Sequence, residues 1–430
     1  RRGTPEARRL ARGTALMAAA LNPADLGRRA EAMLEELAAI SAEPDRLVRF
    51  FLSPEHRRAA NLVAQWMREV GLDVFEDAIG NVRGRIGKPP YLVIGSHIDT
   101  VIDAGRYDGP LGVVAPILAV DTLQRKKSLP ATGIELVAFG DEEGSRFPST
   151  LPSSAALAGH FDPRHWELTD QEGVTFADAL RAYGKSPDDV GKAAIRRGDA
   201  AAYVEVHIEQ GPALEAEGEP LGVVSAIVGQ TRLQATVTGE AGHAGTVPMK
   251  LRRDALAGAA EMALLAEKIA HDFASDGMVA TVGRIEARPA AANIIAGVAR
   301  FTLDLRTASD AARHTAVERF EREARAIADR RGLGFVIEPI HRIATTPCDA
   351  SIQNQLSAAI EAVGAKPLRL PSGAGHDGLM MAKLCPIGML FVRCKGGVSH
   401  NPAEYASPLD MGVAIAALVH FIEQFKPSAS

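Results

Sequence analysis

The stretch YLVIGSHIDT, Tyr91–Thr100, decides how this chain is read. Four apolar residues, Tyr91 to Ile94, run into Gly95 and Ser96, and then His97 and Asp99 stand two positions apart. An unbroken apolar run bounded by turn formers is the pattern of a strand buried on both faces. A His and an Asp at such a strand end form a turn in many proteins, so the pair gains meaning only from the residues downstream of it.

Two further stretches repeat the pattern. GIELVAFGDEEG (133–144) and YVEVHIEQG (203–211) also begin apolar or alternating and end in His or acidic residues. Helical patterns lie between them, among them Ala60–Val70 and Leu111–Arg125. Strands alternating with helices predict an α/β fold with a mostly parallel central sheet. Ligands of such sheets bind beyond the carboxyl ends of the strands. All three polar clusters fall there.

From about Val228 the text changes character. A strand pattern is followed by a helix over Arg253–His271, two strand patterns, a helix over Asp310–Arg331 and a last strand, GFVIEPIHRI. That order is the split βαβ, ferredoxin-like α+β arrangement, with both helices on one face of an antiparallel sheet. Text of the first kind then resumes with a helix over Ala350–Val363, the strand IGMLFVRC and a helix over Met411–Phe425. The expected division is therefore 22–227 with 344–430 as one domain and 228–343 as an insertion, with a hinge near Val228 and Ile343. The first 21 residues carry five arginines within the first twelve. They read as a disordered extension, a processed leader being the other reading.

Bulk properties exclude whole classes. The chain has 430 residues, 47% hydrophobic and 23% charged, as in ordinary globular proteins. No apolar run is long enough for a membrane span. A formal charge of −5 argues against a broad nucleic-acid surface. Cys348, Cys385 and Cys394 are too few for a disulfide framework, and a reducing cytoplasm is the expected compartment.

The candidate chemistry lies in His97, Asp99, Asp108, Glu142, Glu143, His207 and His400. Imidazole and carboxylate without thiolate suit a hard or borderline divalent cation. HIDT, YDG, DEEGSRF, HIEQGP, GHAGTVPM, SGAGHDG and SHNPAE follow one another in order. In this the chain resembles the dinuclear amidohydrolase branch of the zinc aminoacylase and carboxypeptidase superfamily. That branch holds allantoate amidohydrolases, N-carbamoyl-L-amino acid amidohydrolases and β-ureidopropionases.

The resemblance implies a zinc-exopeptidase-like catalytic domain and an inserted lid that also forms a homodimer. It implies two divalent cations, Zn²⁺ or Mn²⁺ with Co²⁺ or Ni²⁺ possible. His97 and His207 would hold one, Glu143 and His400 the other, and Asp108 would bridge them. Asp99 would orient the His97 ring, and Glu142 would be the general base. His243 would serve the oxyanion from a second subunit. Gln210, Asn293 and Arg306 match substrate-binding positions, Arg306 forking onto a carboxylate. His376 lies near the site with an open role, and by spacing alone it competes with His400 as a ligand. Arg393 and Lys395 stand near the predicted pocket where small polar residues are commoner. The expected reaction is hydrolysis of allantoate, with N-carbamoyl amino acids or N-carbamoyl-β-alanine as the alternative. An exopeptidase is disfavoured because only eleven positions separate His97 from Asp108. A catalytically dead homologue is disfavoured because Glu142 and Asp108 are both present.

Overall fold

The structure is a computed structural model and describes residues 21–427. The expected N-terminal extension, Leu21 aside, lies outside the described residues. The chain forms two compact units. Of the described residues, one unit holds 21–225, 348–370 and 375–427; the other holds 226–347 and 371–374.

The first unit is built on the Tyr91–His97 strand, every residue of which is buried. It pairs in parallel with Gly133–Phe139 on one side and with Ala200–Ile208 on the other. Ile387–Val392 then pairs in parallel with Ala200–Ile208. Helix Pro110–Lys126 lies between the first two of these strands in sequence and is buried from Pro110 to Leu123. Parallel neighbours need such a crossover. Its low amphipathicity reflects burial on nearly every side.

The expectation of a mostly parallel sheet needs correction: the sheet is mixed. Parallel pairing holds across the four central strands. Val82–Ile86 runs antiparallel to Gly133–Phe139, Asp73–Glu76 antiparallel to Val82–Ile86, and Leu221–Ile227 antiparallel to Ile387–Val392. Chain connectivity dictates this at the outer edge. The turn from Asp77 to Asn81 is held by Asp77 Oδ1, which accepts the amides of Ile79, Gly80 and Asn81. So short a loop can join only antiparallel strands.

Two helices from opposite ends of the chain close the first unit. Pro23–Ala38 packs on Pro408–Gln424 so tightly that a Cβ on Gly27 would lie 1.6 Å from Pro408 O, and one on Gly412 1.7 Å from Pro23 O. Arg49 is fully buried, and its guanidinium donates to the carbonyls of Ile98, Leu37 and Ile40. It thereby pins the residue between His97 and Asp99.

In the second unit, strands Gly229–Thr238, Val298–Thr307 and Gly334–Ile343 form an antiparallel sheet with Ile285–Arg288 and Val279–Thr281 at one side. Alternate residues Leu233, Ala235, Val237, Phe301, Leu303 and Leu305 are buried with residues of helices Ala255–Asp272 and Asp310–Arg331. The period-two burial of the strands is that of a sheet covered on one face.

Replacing Gly412 by Ala forces the two terminal helices apart. Urea denaturation of Gly412→Ala is expected to show a loss of about 1–3 kcal/mol, the usual cost of overpacking.

Candidate metal centre

Each candidate ligand sits at the end of a buried strand or in the turn after it. His97 ends Tyr91–His97, and His207 lies one residue before the end of Ala200–Ile208. Asp108 precedes the helix that opens at Pro110, and Glu142 and Glu143 follow the strand ending at Phe139. His400 lies in the loop after Ile387–Val392. Parallel strands side by side deliver these ends to one edge of the sheet.

Asp108 is the centre. Its Oδ1 lies 3.1 Å from His207 Nε2 and 3.6 Å from His97 Nε2. Its Oδ2 lies 3.2 Å from His400 Nε2, which is itself 3.4 Å from Glu143 Oε1. The donor atoms of His97, Asp108 and His207 lie within 4.8 Å of one another, as do those of Asp108, Glu143 and His400. The structure thus brings all five proposed ligands together in two triads that share Asp108.

Asp99 reaches both His97 and the turn after Phe139. Its carboxylate lies 3.3 Å from His97 Nδ1, whose nearer contact is the Asp99 carbonyl at 3.1 Å. The same carboxylate accepts the backbone amides of Glu142 and Glu143, at 3.0 and 3.2 Å. One side chain therefore ties the His97 strand end to the turn that carries both glutamates. His207 is fixed likewise, its Nδ1 donating to Ile208 O at 2.9 Å. With Nδ1 occupied, Nε2 is the atom left to bind a cation.

The electrostatics are those of a site short of positive charge. Burial pushes the Glu142 carboxyl well above its usual range; His97 opposes this and neighbouring Glu143 and Asp377 reinforce it. Burial and then Asp108 raise Glu143 to about 7. For Asp108, burial acts upward, but hydrogen bonds from His207, His400 and His97 hold it well below the ordinary carboxylate range. Buried carboxylates that close together are stable as anions only with cations among them. Oxygen and imidazole donors around a shared carboxylate fit divalent cations, and the residues present meet that requirement.

Several participants carry no separate signal in the sequence. Glu404 Oε1 accepts the amides of Tyr107 and Asp108, at 2.9 and 3.0 Å, and Ser399 Oγ donates to Asp108 Oδ2 at 2.6 Å. Both stand inside SHNPAE, where the spacing to His400 was the available clue. Glu205 lies deeper and accepts from Ser96 Oγ at 2.8 Å. Gln210 donates from Nε2 to Asp108 Oδ2 at 2.7 Å. Gln210 and His400 both have left-handed backbones, with φ of 56° and 52°. His376 is buried with its ring 4.5 Å from that of His207, and it groups with His207 and Glu205 rather than with His400. Arg393 makes a two-pronged contact with Asp410, at 2.9 and 3.1 Å, tying its loop to the last helix.

The remaining candidates belong to the second unit. His243 is exposed in a short strand whose partner is Ile294, and the Ala244 amide donates to Asn293 O at 3.0 Å, so His243 and Asn293 are neighbours. Arg306 places Nε and Nη2 on Asp304, at 3.1 and 3.0 Å, and Nη1 on Gly373 O at 2.7 Å. Its Nε–Nη2 edge is thus held from within the unit, and Nη1 and Nη2 each keep one further N–H.

Residues 93–424 match the family described as Peptidase family M20/M25/M40. The chain is 41% identical to an allantoate deiminase of Arabidopsis thaliana, over 94% of this chain and 83% of that one. It is 39% identical to an N-carbamoyl-L-amino acid amidohydrolase of Geobacillus stearothermophilus, over 93% of this chain and 98% of that one. The crystal structure of a hydantoinase/carbamoylase family amidase from Burkholderia multivorans superposes with a TM-score of 0.87 at 33% identity, covering 92% of this chain and 97% of that one.

Gly109, at φ 81°, leaves room for the His97 ring: a Cβ there would lie 2.4 Å from His97 Cε1. Gly109→Ala is expected to lose bound metal by about 10–100-fold in affinity, the range for disturbed ligand support. Metal analysis after equilibrium dialysis, with circular dichroism to show retained fold, checks this.

Proposed function

The chain belongs to peptidase family M20/M25/M40, and from there we propose that it hydrolyses a ureido C–N bond in a small carboxylate. Allantoate is the leading substrate, giving ureidoglycine, ammonia and carbon dioxide. The observation that carries this reading is the pair of triads sharing Asp108, with Glu142 held beside them by Asp99.

We infer that His97, His207 and Asp108 hold one divalent cation and Asp108, Glu143 and His400 a second, as Zn²⁺ or Mn²⁺, with Co²⁺ or Ni²⁺ as alternatives. Such cations, when bound, polarise the scissile carbonyl and acidify water. The chain's own residues then do the proton work. Glu142 accepts a proton from water on its carboxylate and delivers it to the departing nitrogen. Its backbone cannot swing away, because its amide is bonded to Asp99. Gln210 and Ser399 hold the Asp108 carboxylate in place.

The second unit is assigned substrate binding and, as lid and dimerisation domain, assembly. Arg306 takes the substrate carboxylate, a planar guanidinium being suited to two parallel bonds. Asn293 and Gln210 contribute polar contacts, and His376 lines the buried side. His243, contributed across a homodimer, donates to the oxyanion. Met249, Leu251 and Leu264 are 77%, 65% and 66% exposed, apolar surface that a second copy would cover. A reducing cytoplasmic setting agrees with three buried, unbridged cysteines. No described helix is long and apolar enough to cross a membrane.

The second reading, hydrolysis of N-carbamoyl-L-amino acids or N-carbamoyl-β-alanine, is supported by the 39% identical relative. Ammonia release from allantoate and from several N-carbamoyl amino acids, by protein purified with added Mn²⁺, separates the two. Allantoate is expected to turn over fastest; faster turnover of a carbamoyl amino acid reverses the order. Glu142→Gln is expected to lower kcat about 10²–10⁴-fold while bound metal stays unchanged.

A further inference from the structure

Burial does not hold His400 in place. Its side chain is 49% exposed, and its backbone is left-handed at φ 52°. A non-glycine residue keeps that conformation only where its surroundings impose it. Its ring faces two carboxylates, Asp108 and Glu143, which compete for cations rather than supply packing. The restraint has to come from the loop on either side of the residue.

Glu404, four residues on, is 4% exposed, and its carboxylate works in two directions. Oε1 accepts the amides of Tyr107 and Asp108, at 2.9 and 3.0 Å, and Oε2 accepts from Ser399 Oγ at 2.9 Å. Ser399 directly precedes His400. The carboxylate thus spans the His400 loop from Ser399 to Glu404 and fastens it to the segment that carries Asp108. Asn401 shapes the same loop, its Oδ1 accepting the Ala403 amide at 2.9 Å and its carbonyl the Glu404 amide at 3.0 Å. Gly105 makes the room: a Cβ there would lie 2.3 Å from Glu404 Oε1 and 2.4 Å from Glu404 Cβ. A side chain at position 105 and the glutamate cannot share this arrangement.

Ser399 has one hydroxyl hydrogen and two carboxylates within reach, Asp108 Oδ2 at 2.6 Å and Glu404 Oε2 at 2.9 Å. That hydrogen serves one of them at a time. Given to Glu404, it closes the His400 loop onto the Asp108 segment and leaves Asp108 Oδ2 to its other partners.

Resting on the cation reading above, we propose that Glu404 is a positioning residue for the second cation site, formed by Asp108, Glu143 and His400. It acts through Ser399 and the Tyr107–Asp108 amides, fixing His400 and Asp108 relative to each other before a cation arrives. Ligands ordered in advance spare the binding step that cost. The first site leans on Glu404 less, because its imidazoles are held from elsewhere, His97 Nδ1 by the Asp99 carbonyl and His207 Nδ1 by Ile208 O.

The test measures Mn²⁺ bound per chain by equilibrium dialysis over a range of free Mn²⁺. His400→Ala marks which equivalent belongs to the second site. Glu404→Ala is expected to weaken that same equivalent about 10–100-fold and to leave the other within about threefold. Gly105→Ala, which retains every ligand and Glu404 itself, shows the same selective loss. Glu404→Gln recovers part of it, since its amide oxygen still accepts the two backbone amides and its NH₂ can donate to Ser399. The double variant His400→Ala/Glu404→Ala loses no more than His400→Ala alone, as expected when one residue acts through the other. Equal weakening of both equivalents, no weakening of either, or a further loss in the double variant overturns the proposal while the cation reading stands. No Mn²⁺ bound by the unsubstituted protein is failure of the cation reading, and the proposal falls with it. Circular dichroism and thermal melting accompany each variant; if Glu404→Ala does not fold, Gly105→Ala and Glu404→Gln decide by the same readout.

Discussion

Negative charge packed out of reach of water is the constraint on which the first unit depends. Asp108, Glu142 and Glu143 crowd one strand edge, and three imidazoles gather on Asp108 alone. No apolar packing could hold carboxylates in that arrangement. The fold copes by anchoring their main chain: Asp99 accepts the amides of Glu142 and Glu143, and Glu404 accepts those of Tyr107 and Asp108. Asp99 and Glu404 are therefore engaged with main chain, which makes the positions of the candidate ligands properties of the fold.

Much of this was readable in the sequence because the candidate ligands stand at or just beyond successive strand ends. Apolar runs marked the parallel centre, and the residues at their ends marked the candidate ligands that the structure gathers. The sheet edges were harder, since parallel or antiparallel pairing depends on loop length and not on the strand text. Glu404 was hidden for another reason. Its partners Tyr107 and Asp108 are nearly three hundred positions away, and no local pattern predicts an acid that bonds main chain at such a distance. Arg393, which spacing places near the pocket, proves to be a tether to Asp410. A charge near a site in sequence says nothing about which partner claims it.

The second unit divides labour by sheet face. Its buried face is a conventional packing surface against two helices, so its alternation was legible. Its open face could be read only as polar positions. That Asp304 sits between Arg232 and Arg306 follows from register, which a single sequence does not fix. Cross-strand pairing, more than composition, gives this face its chemistry.

The left-handed turns at Gln210 and His400 carry a consequence for how the protein wears. Non-glycine residues held there cost on the order of 1–3 kcal/mol each, and persist only while their surroundings overrule them. The restraint comes from the strands that feed those loops, Ala200–Ile208 and Ile387–Val392, which pair with each other. Damage that merely loosens this pairing lets the loops relax before the domain melts. Ageing or mildly heated protein should then become inert while still looking folded, with these two loops acting as its fuse.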